Sequence, residues 1–167
     1  MFMNIFYKLG KYSNGDKMRL KEIFNKGLIS ADIKASIYDV ANLMKKHNIG
    51  FVPITNNQSI VGVITDRDIV INAIANNCDC NQSIEDYINK NIIKIDYNRE
   101  IHDALSLMKQ HKIKRIIVMD GEKIVGVLSL SDIIKTNEKE VLDTIKTIWT
   151  IDDKNRLKDA KIDEFYL

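Results

Sequence analysis

The sequence predicts an α+β fold made of one small unit built twice, and three observations carry that expectation. A stretch of ten residues, Ile60-Val61-Gly62-Val63-Ile64-Thr65-Asp66-Arg67-Asp68-Ile69, returns as Ile124-Val125-Gly126-Val127-Leu128-Ser129-Leu130-Ser131-Asp132-Ile133, sixty-four positions further on. The match runs upstream without a gap: Ile37 with Ile101, Asp39 with Asp103, Leu43-Met44-Lys45 with Leu107-Met108-Lys109, His47 with His111, and Ile49 with Ile113. Between 37 and 69 roughly thirteen of about thirty-three positions are identical, and a self-match of fixed period sets the fold before any local signal is read. Second, short runs rich in Ile and Val alternate with segments whose apolar residues fall at helical spacing, the mark of strands mixed with helices. Third, 167 residues with 45% apolar content suit one domain, or two small ones sharing a core. Two copies are too few for a solenoid, which needs three or more, so the pattern is an internal duplication.

Each copy has the same physical form. Ile60 to Ile64 is a β-branched run that suits a buried strand, and its Gly62 admits a second backbone or a flat ligand. Thr65 stands where the strand gives way to a helix, with Ile69, Val70, Ala73 and Ile74 at helical spacing. A helix start leaves unpaired N–H groups and a partial positive charge, which favours phosphate. Asp68 and Asp132, one turn in, have the chemistry to accept bonds from a pair of sugar hydroxyls. Thr65-x-x-Asp68 and Ser129-x-x-Asp132 also read as capping boxes, with Asp in place of the usual Glu. The two roles are compatible, since a hydroxyl that caps can also face a ligand. Duplication does not choose between them, because both copies need capped helices.

The pattern Gly-apolar-apolar-Thr/Ser-x-x-Asp, preceded by an amphipathic helix and a strand, resembles the CBS domain. Two in tandem resemble a CBS pair, or Bateman module, over about residues 18–136. The resemblance implies a tandem pair of β-α-β-β-α units that meet through their sheets with pseudo-twofold symmetry. It divides the chain into an N-terminal extension at 1–17, repeat 1 at 18–80, repeat 2 at 81–136, and a C-terminal helix and tail at 137–167. It further implies a regulatory module that senses adenosine nucleotides (AMP, ADP, ATP or S-adenosylmethionine) in clefts between the repeats, with no cofactor required. On this chain, Ile and Val side chains would sandwich the adenine, and Asp68 and Asp132 would hold ribose hydroxyls. Thr65 and Ser129, with Arg67, Lys114 or Arg115, would meet phosphate. Ser30 and Lys94 hold matching places on the first strand of each repeat, whose backbone lines the cleft in the family.

Taken in order, residues 1 to 17 stand outside the repeat. Gly15-Asp16-Lys17 before Met18 is what a ribosome-binding site read through as protein would look like. Met18 is therefore expected as a natural start, against the competing reading that the segment packs on a partner. Leu20, Ile23 and Phe24 make a short amphipathic helix that Gly27 ends, and Leu28-Ile29-Ser30 is expected as a strand. Ser36 should cap a helix with Ile37, Val40, Ala41 and Met44 on one face. Phe51-Val52-Pro53-Ile54 follows as a strand, with Pro53 at an edge or where its missing N–H does no harm, and Asn56-Asn57 turns the chain into the Ile60 strand. Cys78-Asp79-Cys80 lies between the repeats; with no second Cys pair or nearby His it is a weak zinc signal. Repeat 2 opens at Ile84-Glu85-Asp86-Tyr87-Ile88. Asn91 to Ile95 is its first strand, and Ile101, Ala104, Leu105 and Met108 its helix face. Arg115 to Val118, an Asp120-Gly121 turn and Ile124 to Leu128 complete it. His47 and His111 end equivalent helices, where a cation suits the dipole, and His102 is expected at the surface. In the tail, Val141, Leu142, Ile145, Ile148 and Trp149 form an apolar stripe, and Phe165-Tyr166-Leu167 suggests docking.

A net charge of +2 with charges of both signs argues against nucleic acid as a partner held by bulk basicity. No apolar run approaches a membrane span of about eighteen residues, and two cysteines are too few for a disulfide framework. A cytoplasmic protein is expected. The residues give no metal cluster, nucleophile motif or P-loop, so an enzyme ranks last. The leading reading is a nucleotide sensor that is a homodimer and acts on a regulated protein partner. The alternative is a ligand-free dimeric scaffold.

Overall fold

The computed structural model describes residues 19–23, 27–134 and 139–148. The expectations placed on 1–17, Met18, Phe24, Trp149 and Phe165-Tyr166-Leu167 lie outside these residues. The elements are α1 (Leu20–Ile23), β1 (Ala31–Asp32), α2 (Ile37–His47), β2 (Phe51–Asn56), β3 (Ser59–Thr65), α3 (Asp66–Asp68), β4 (Lys94–Asp96), α4 (Ile101–His111), β5 (Arg115–Asp120), β6 (Lys123–Ser129) and α5 (Leu130–Ile133). A further helix, α6, covers 139–148. The strands form two three-stranded sheets, in the orders β1-β2-β3 and β4-β5-β6. The α+β duplication read from the sequence is therefore present.

The chain divides into two compact units, one of Lys26–Lys94 with Ile117–Gly126, the other of Met1–Asn25, Ile95–Ile116 and Val127–Leu167. In the first, α2 is held at its start by a capping box: Asp39 N–H donates to Ser36 Oγ at 3.1 Å and Ser36 N–H to Asp39 Oδ2 at 3.1 Å. Ser36 Oγ also donates to Asp39 Oδ2 at 2.6 Å, and this bond, ahead of the one from Ser36 N–H, holds the Asp39 carboxyl below its ordinary pKa. The helix buries Ile37, Val40 and Met44 against Val52, Ile54, Ile64, Ile69, Ala73 and Ile84. Ala41, expected on that face, is exposed. In the second unit α4 buries Ile101, Ala104, Leu105 and Met108.

Three strand expectations shift. Leu28-Ile29-Ser30 is not a strand; β1 is Ala31–Asp32, paired in parallel with Ile54 and Thr55 of β2. Its partner, not its apolar content, sets where it lies, and it ends where Lys34 N–H donates to Asp32 Oδ1 at 2.9 Å. Asn91-Ile92-Ile93 likewise precedes β4, although Ile117 N–H donates to Ile93 O at 3.2 Å. The turns sit one residue later than expected, at Asn57-Gln58 and Gly121-Glu122. Asn57 and Gln58 both have positive φ, as the tight hairpin turn matching strand twist requires.

Pro53 lies in β2, the central strand, not at an edge. It faces Val63 of β3, whose N–H and C=O are both bonded to Asn89, at 3.0 and 2.8 Å. Pro53 and Val63 are thus a pair that exchanges no hydrogen bonds. The ladder between β2 and β3 never uses the missing N–H, which would face β1, and the pairing with β1 is confined to Ile54 and Thr55.

The opening segments of the two repeats are exchanged. Leu20 N–H donates to Arg99 O at 2.9 Å, and Arg19 bridges Glu100, beside the start of α4. Sixty-four residues on, Ile84 N–H donates to Ala35 O at 2.9 Å, and Ser83 bridges Ser36, beside the start of α2. Leu20 and Ile84 are both fully buried. Each repeat's entry turn therefore completes the core that carries the other repeat's long helix.

Candidate functional site

Both motif ends are built alike. Asp66 N–H donates to Gly50 O at 3.3 Å and Leu130 N–H to Lys114 O at 3.1 Å. Each bond ties the first residue of the short helix to the residue just before the neighbouring strand. The start of β2 and the end of β3 thus share one sheet end, with Phe51 opposite Thr65. Thr65 Oγ1 donates to Asp68 Oδ2 at 2.7 Å, Thr65 N–H donates to the same oxygen at 2.9 Å, and Asp68 N–H returns to Thr65 Oγ1 at 3.1 Å. In the second copy Ser129 Oγ and N–H meet Asp132 Oδ2 at 2.6 and 3.0 Å. The capping role is present in both repeats.

The structure brings Thr65 and Asp68 together, with Arg67 exposed beside them. Its guanidinium makes no ion pair among the described residues. Ser30 precedes β1 at the sheet end where β2 begins, because Ala31 lies opposite Ile54. In the second copy Lys114, Arg115, Ser129 and Asp132 are gathered by the Leu130 to Lys114 bond, while Lys94 stands exposed at the first position of β4. The capping bonds use Oδ2 of Asp68; its Oδ1 carries no hydrogen bond among the described residues.

One residue pair escaped the sequence reading. A Cβ at Gly50 would collide with the Asp66 carboxylate, whose Oδ1 accepts from Arg67 N–H at 2.8 Å. Asp66 fills the space over Gly50, whereas the second copy has Lys114 and a buried Leu130 at these places. The signal was the paired change, small with acidic in one copy and long basic with apolar in the other. Gly62, in turn, is needed for packing: a Cβ there would lie 2.8 Å from Ile88 Cδ1.

Among the described residues no group of three or more His, Cys, Asp or Glu is placed to hold a metal, and no helix is long and apolar enough to cross a membrane. The helical run after Asp68 widens to a π-turn at Ile69–Ala73 and tightens to a 3-10 turn at Ile74–Asn76. Ile69 and Ala73 are buried, but Val70, Ile71 and Ile74 are 55%, 44% and 52% exposed. Of the four residues read at helical spacing, Ile69 and Ala73 thus turn inward while Val70 and Ile74 face solvent.

The CBS domain pattern matches residues 20–73 and 84–138. The chain belongs to the CBS domain family. Its CBS repeats are 32% identical over 98 residues to the CBS domain-containing protein YhcV of Bacillus subtilis, covering 59% of this chain and 70% of that one. Hypoxic response protein 1 of Mycobacterium tuberculosis is 28% identical over 131 residues, 77% of this chain and 92% of its own. Among solved structures, a CBS domain protein from Pyrobaculum aerophilum complexed with AMP aligns with a TM-score of 0.66 at 27% identity, over 78% of this chain and 99% of that one. The CBS domain pair of protein MJ0100, in complex with 5-methylthioadenosine and S-adenosyl-L-methionine, aligns with a TM-score of 0.64 at 29% identity, over 71% and 94%.

Proposed function

We propose that this CBS pair is a non-catalytic regulatory module that binds an adenosine nucleotide through the Thr65/Asp68 and Ser129/Asp132 ends of its repeats. The observation that carries this is the twofold occurrence of one arrangement: a hydroxyl at a strand end, hydrogen-bonded to an aspartate one turn into the next helix. It occurs in a chain whose relatives of similar fold were solved with AMP and with S-adenosyl-L-methionine. At Asp68 one carboxylate oxygen caps the helix and the other is left to accept from a ribose hydroxyl. Arg67 on one copy, and Lys114 and Arg115 on the other, would supply cations for phosphate, with Ser30 just before the first strand of its repeat and Lys94 at the start of the other as further candidates. Binding would favour one arrangement of the repeats, which a protein partner would read.

Calorimetry with AMP, ADP, ATP and S-adenosylmethionine tests it, alongside mass spectrometry of small molecules retained on purification. Asp68→Ala and Asp132→Ala should each weaken binding by about 1.5–3 kcal/mol, the worth of a hydrogen bond to a charged group. If both variants bind every ligand like the parent, the aspartates are caps and nothing more. A ligand-free dimeric scaffold is the second reading, favoured by the exposed Val70, Ile71 and Ile74. It would gain if no ligand binds and the chain is a dimer.

A further inference from the structure

Both cysteines of the chain lie in the loop that follows the 3-10 turn Ile74–Asn76. Cys80 is exposed and Cys78 half-buried, and neither is in a disulfide. The loop is pinned on either side of Asp79. Cys78 N–H donates to Ala73 O at 3.2 Å, and Tyr38 N–H, at the start of α2, donates to Cys80 O at 2.9 Å. Between these anchors Asn81 N–H donates to Asp79 Oδ1 at 2.9 Å and Gln82 N–H to Asp79 O at 2.9 Å. The two cysteines are therefore presented from one anchored loop, on backbone outside any helix or strand. Burial pushes the Cys78 thiol up from its ordinary pKa, and the next influences are the charge and hydrogen bonding of Cys80 beside it. Separated by one residue, their Cα atoms lie no more than about 7 Å apart, close to the span that a disulfide bridges. Among the described residues no third ligand is placed to complete a metal group with them.

We propose that Cys78 and Cys80 are a reversible redox pair, closed to an intramolecular disulfide by a low-molecular-weight disulfide such as oxidised glutathione. The exposed Cys80 loses its proton to water, and its thiolate attacks one sulfur of the oxidant. One small thiolate leaves and takes up a proton, and a mixed disulfide remains on Cys80. Cys78, deprotonated in turn, attacks the Cys80 sulfur and expels the second small thiol. One S–S bond forms in the protein and one breaks in the oxidant; the two cysteines lose two electrons and two protons, which leave on two small thiols. Cys80 attacks first because exchange needs access as well as thiolate. Cys78 is the poorer first nucleophile, but its position makes the resolving step intramolecular. A ring spanning a single intervening residue is small and exposed, the kind of disulfide that a thiol pool readily reopens. Its closure bears on two elements at once, through Cys80 O on the first turn of α2 and through Cys78 N on the helical run from Thr65 and Asp68.

The test treats the reduced full chain with oxidised glutathione and follows free thiols and intact mass. Both thiols should be lost and the mass should fall by two hydrogens, with reversal by excess reduced glutathione. Cys78→Ser should stop at one glutathione on Cys80, and Cys80→Ser should show no loss of two hydrogens. A parent chain that keeps both thiols overturns the proposal. So does one that accumulates a glutathione adduct or links two chains without the two-hydrogen loss.

Discussion

At the end of each long helix one residue turns left-handed so that its N–H can reach the last carbonyls. Asn48 does this after α2 with φ 51°, and Lys112 after α4 with φ 54°. Asn tolerates that conformation, while a lysine Cβ meets the following carbonyl at a cost of about 1–2 kcal/mol. Lys112→Gly should therefore stabilise the chain by about 1 kcal/mol, read as a rise in melting temperature, and Asn48→Gly by much less. Equal gains would show that the lysine is not strained. Gly62→Ala should act in the opposite sense, since its Cβ would press on Ile88; overpacking of this kind costs about 1–3 kcal/mol. The capping residues Ser36, Thr65 and Ser129 were legible in the sequence because capping needs a hydroxyl at a fixed offset from a carboxylate. The Asp66 and Gly50 contact was not legible, because two residues sixteen apart meet only once β2 and β3 pair.

The elements show the same division between local and distant causes. Helices α2 and α4 follow their apolar spacing, which is a property of the segment itself. The place of β1 depends on which part of β2 it pairs with, and the fit of Pro53 depends on Asn89 binding the far side of Val63 and on β1 pairing only with Ile54 and Thr55. Neither is written in the strand's own residues. In the tail, Val141 and Ile148 are buried as the stripe requires, Ile145 is half-buried and Leu142 is exposed. Thr144, buried between them, donates its hydroxyl to Glu140 O at 2.8 Å. Two polar pairs join α6 to α4: His102 with Glu140, at the surface where His102 was expected, and Lys109 with Asp143. Val141→Ala should cost about 1–3 kcal/mol through lost burial and the cavity left behind. The Asp143 carboxyl is held below its ordinary pKa, first by the hydrogen bond from Lys109 and then by its charge. A pKa depressed on folding contributes stability in full above the unfolded value and loses it as pH falls through the folded one. Between about pH 5 and 3 the parent should therefore lose more stability than Lys109→Met. Parallel acid melting curves for the two would rule out a contribution from this pair.

For the molecule as a whole, duplication leaves two questions: what covers the exposed apolar face, and whether two similar ends do the same work. Val70, Ile71 and Ile74 lie together on one short helical run, and clustered exposed apolar side chains usually mark an interface. A homodimer is the expected state. Light scattering at tens of micromolar should give twice the chain mass, and Ile74→Glu should halve it; a monomeric parent would sink the expectation. The second question turns on charge. The first copy has Ser30, Gly50, Phe51 and Asp66 where the second has Lys94, Lys114, Arg115 and Leu130. The Asp66 carboxylate is fixed over Gly50 at the same sheet end as Thr65, so it opposes an incoming phosphate, and Arg67 offsets it only in part. In the second copy the buried Leu130 contributes no charge, and Arg115 opens the strand just after Lys114, whose C=O accepts from Leu130 N–H. Opposite charges at about 4 Å attract by roughly 1–4 kcal/mol between water and a protein surface, and like charges repel by as much. The Ser129 and Asp132 end should therefore take the more phosphorylated ligand, or fill first. ATP titrated into Arg115→Ala and Arg67→Ala separately decides it. Arg115→Ala should lose the greater share of affinity, and the loss should shrink with AMP, which carries fewer charges for the guanidinium to meet. A greater loss for Arg67→Ala would mean that the phosphate-preferring end is the Thr65 and Asp68 one, with Arg67 outweighing the carboxylate beside it.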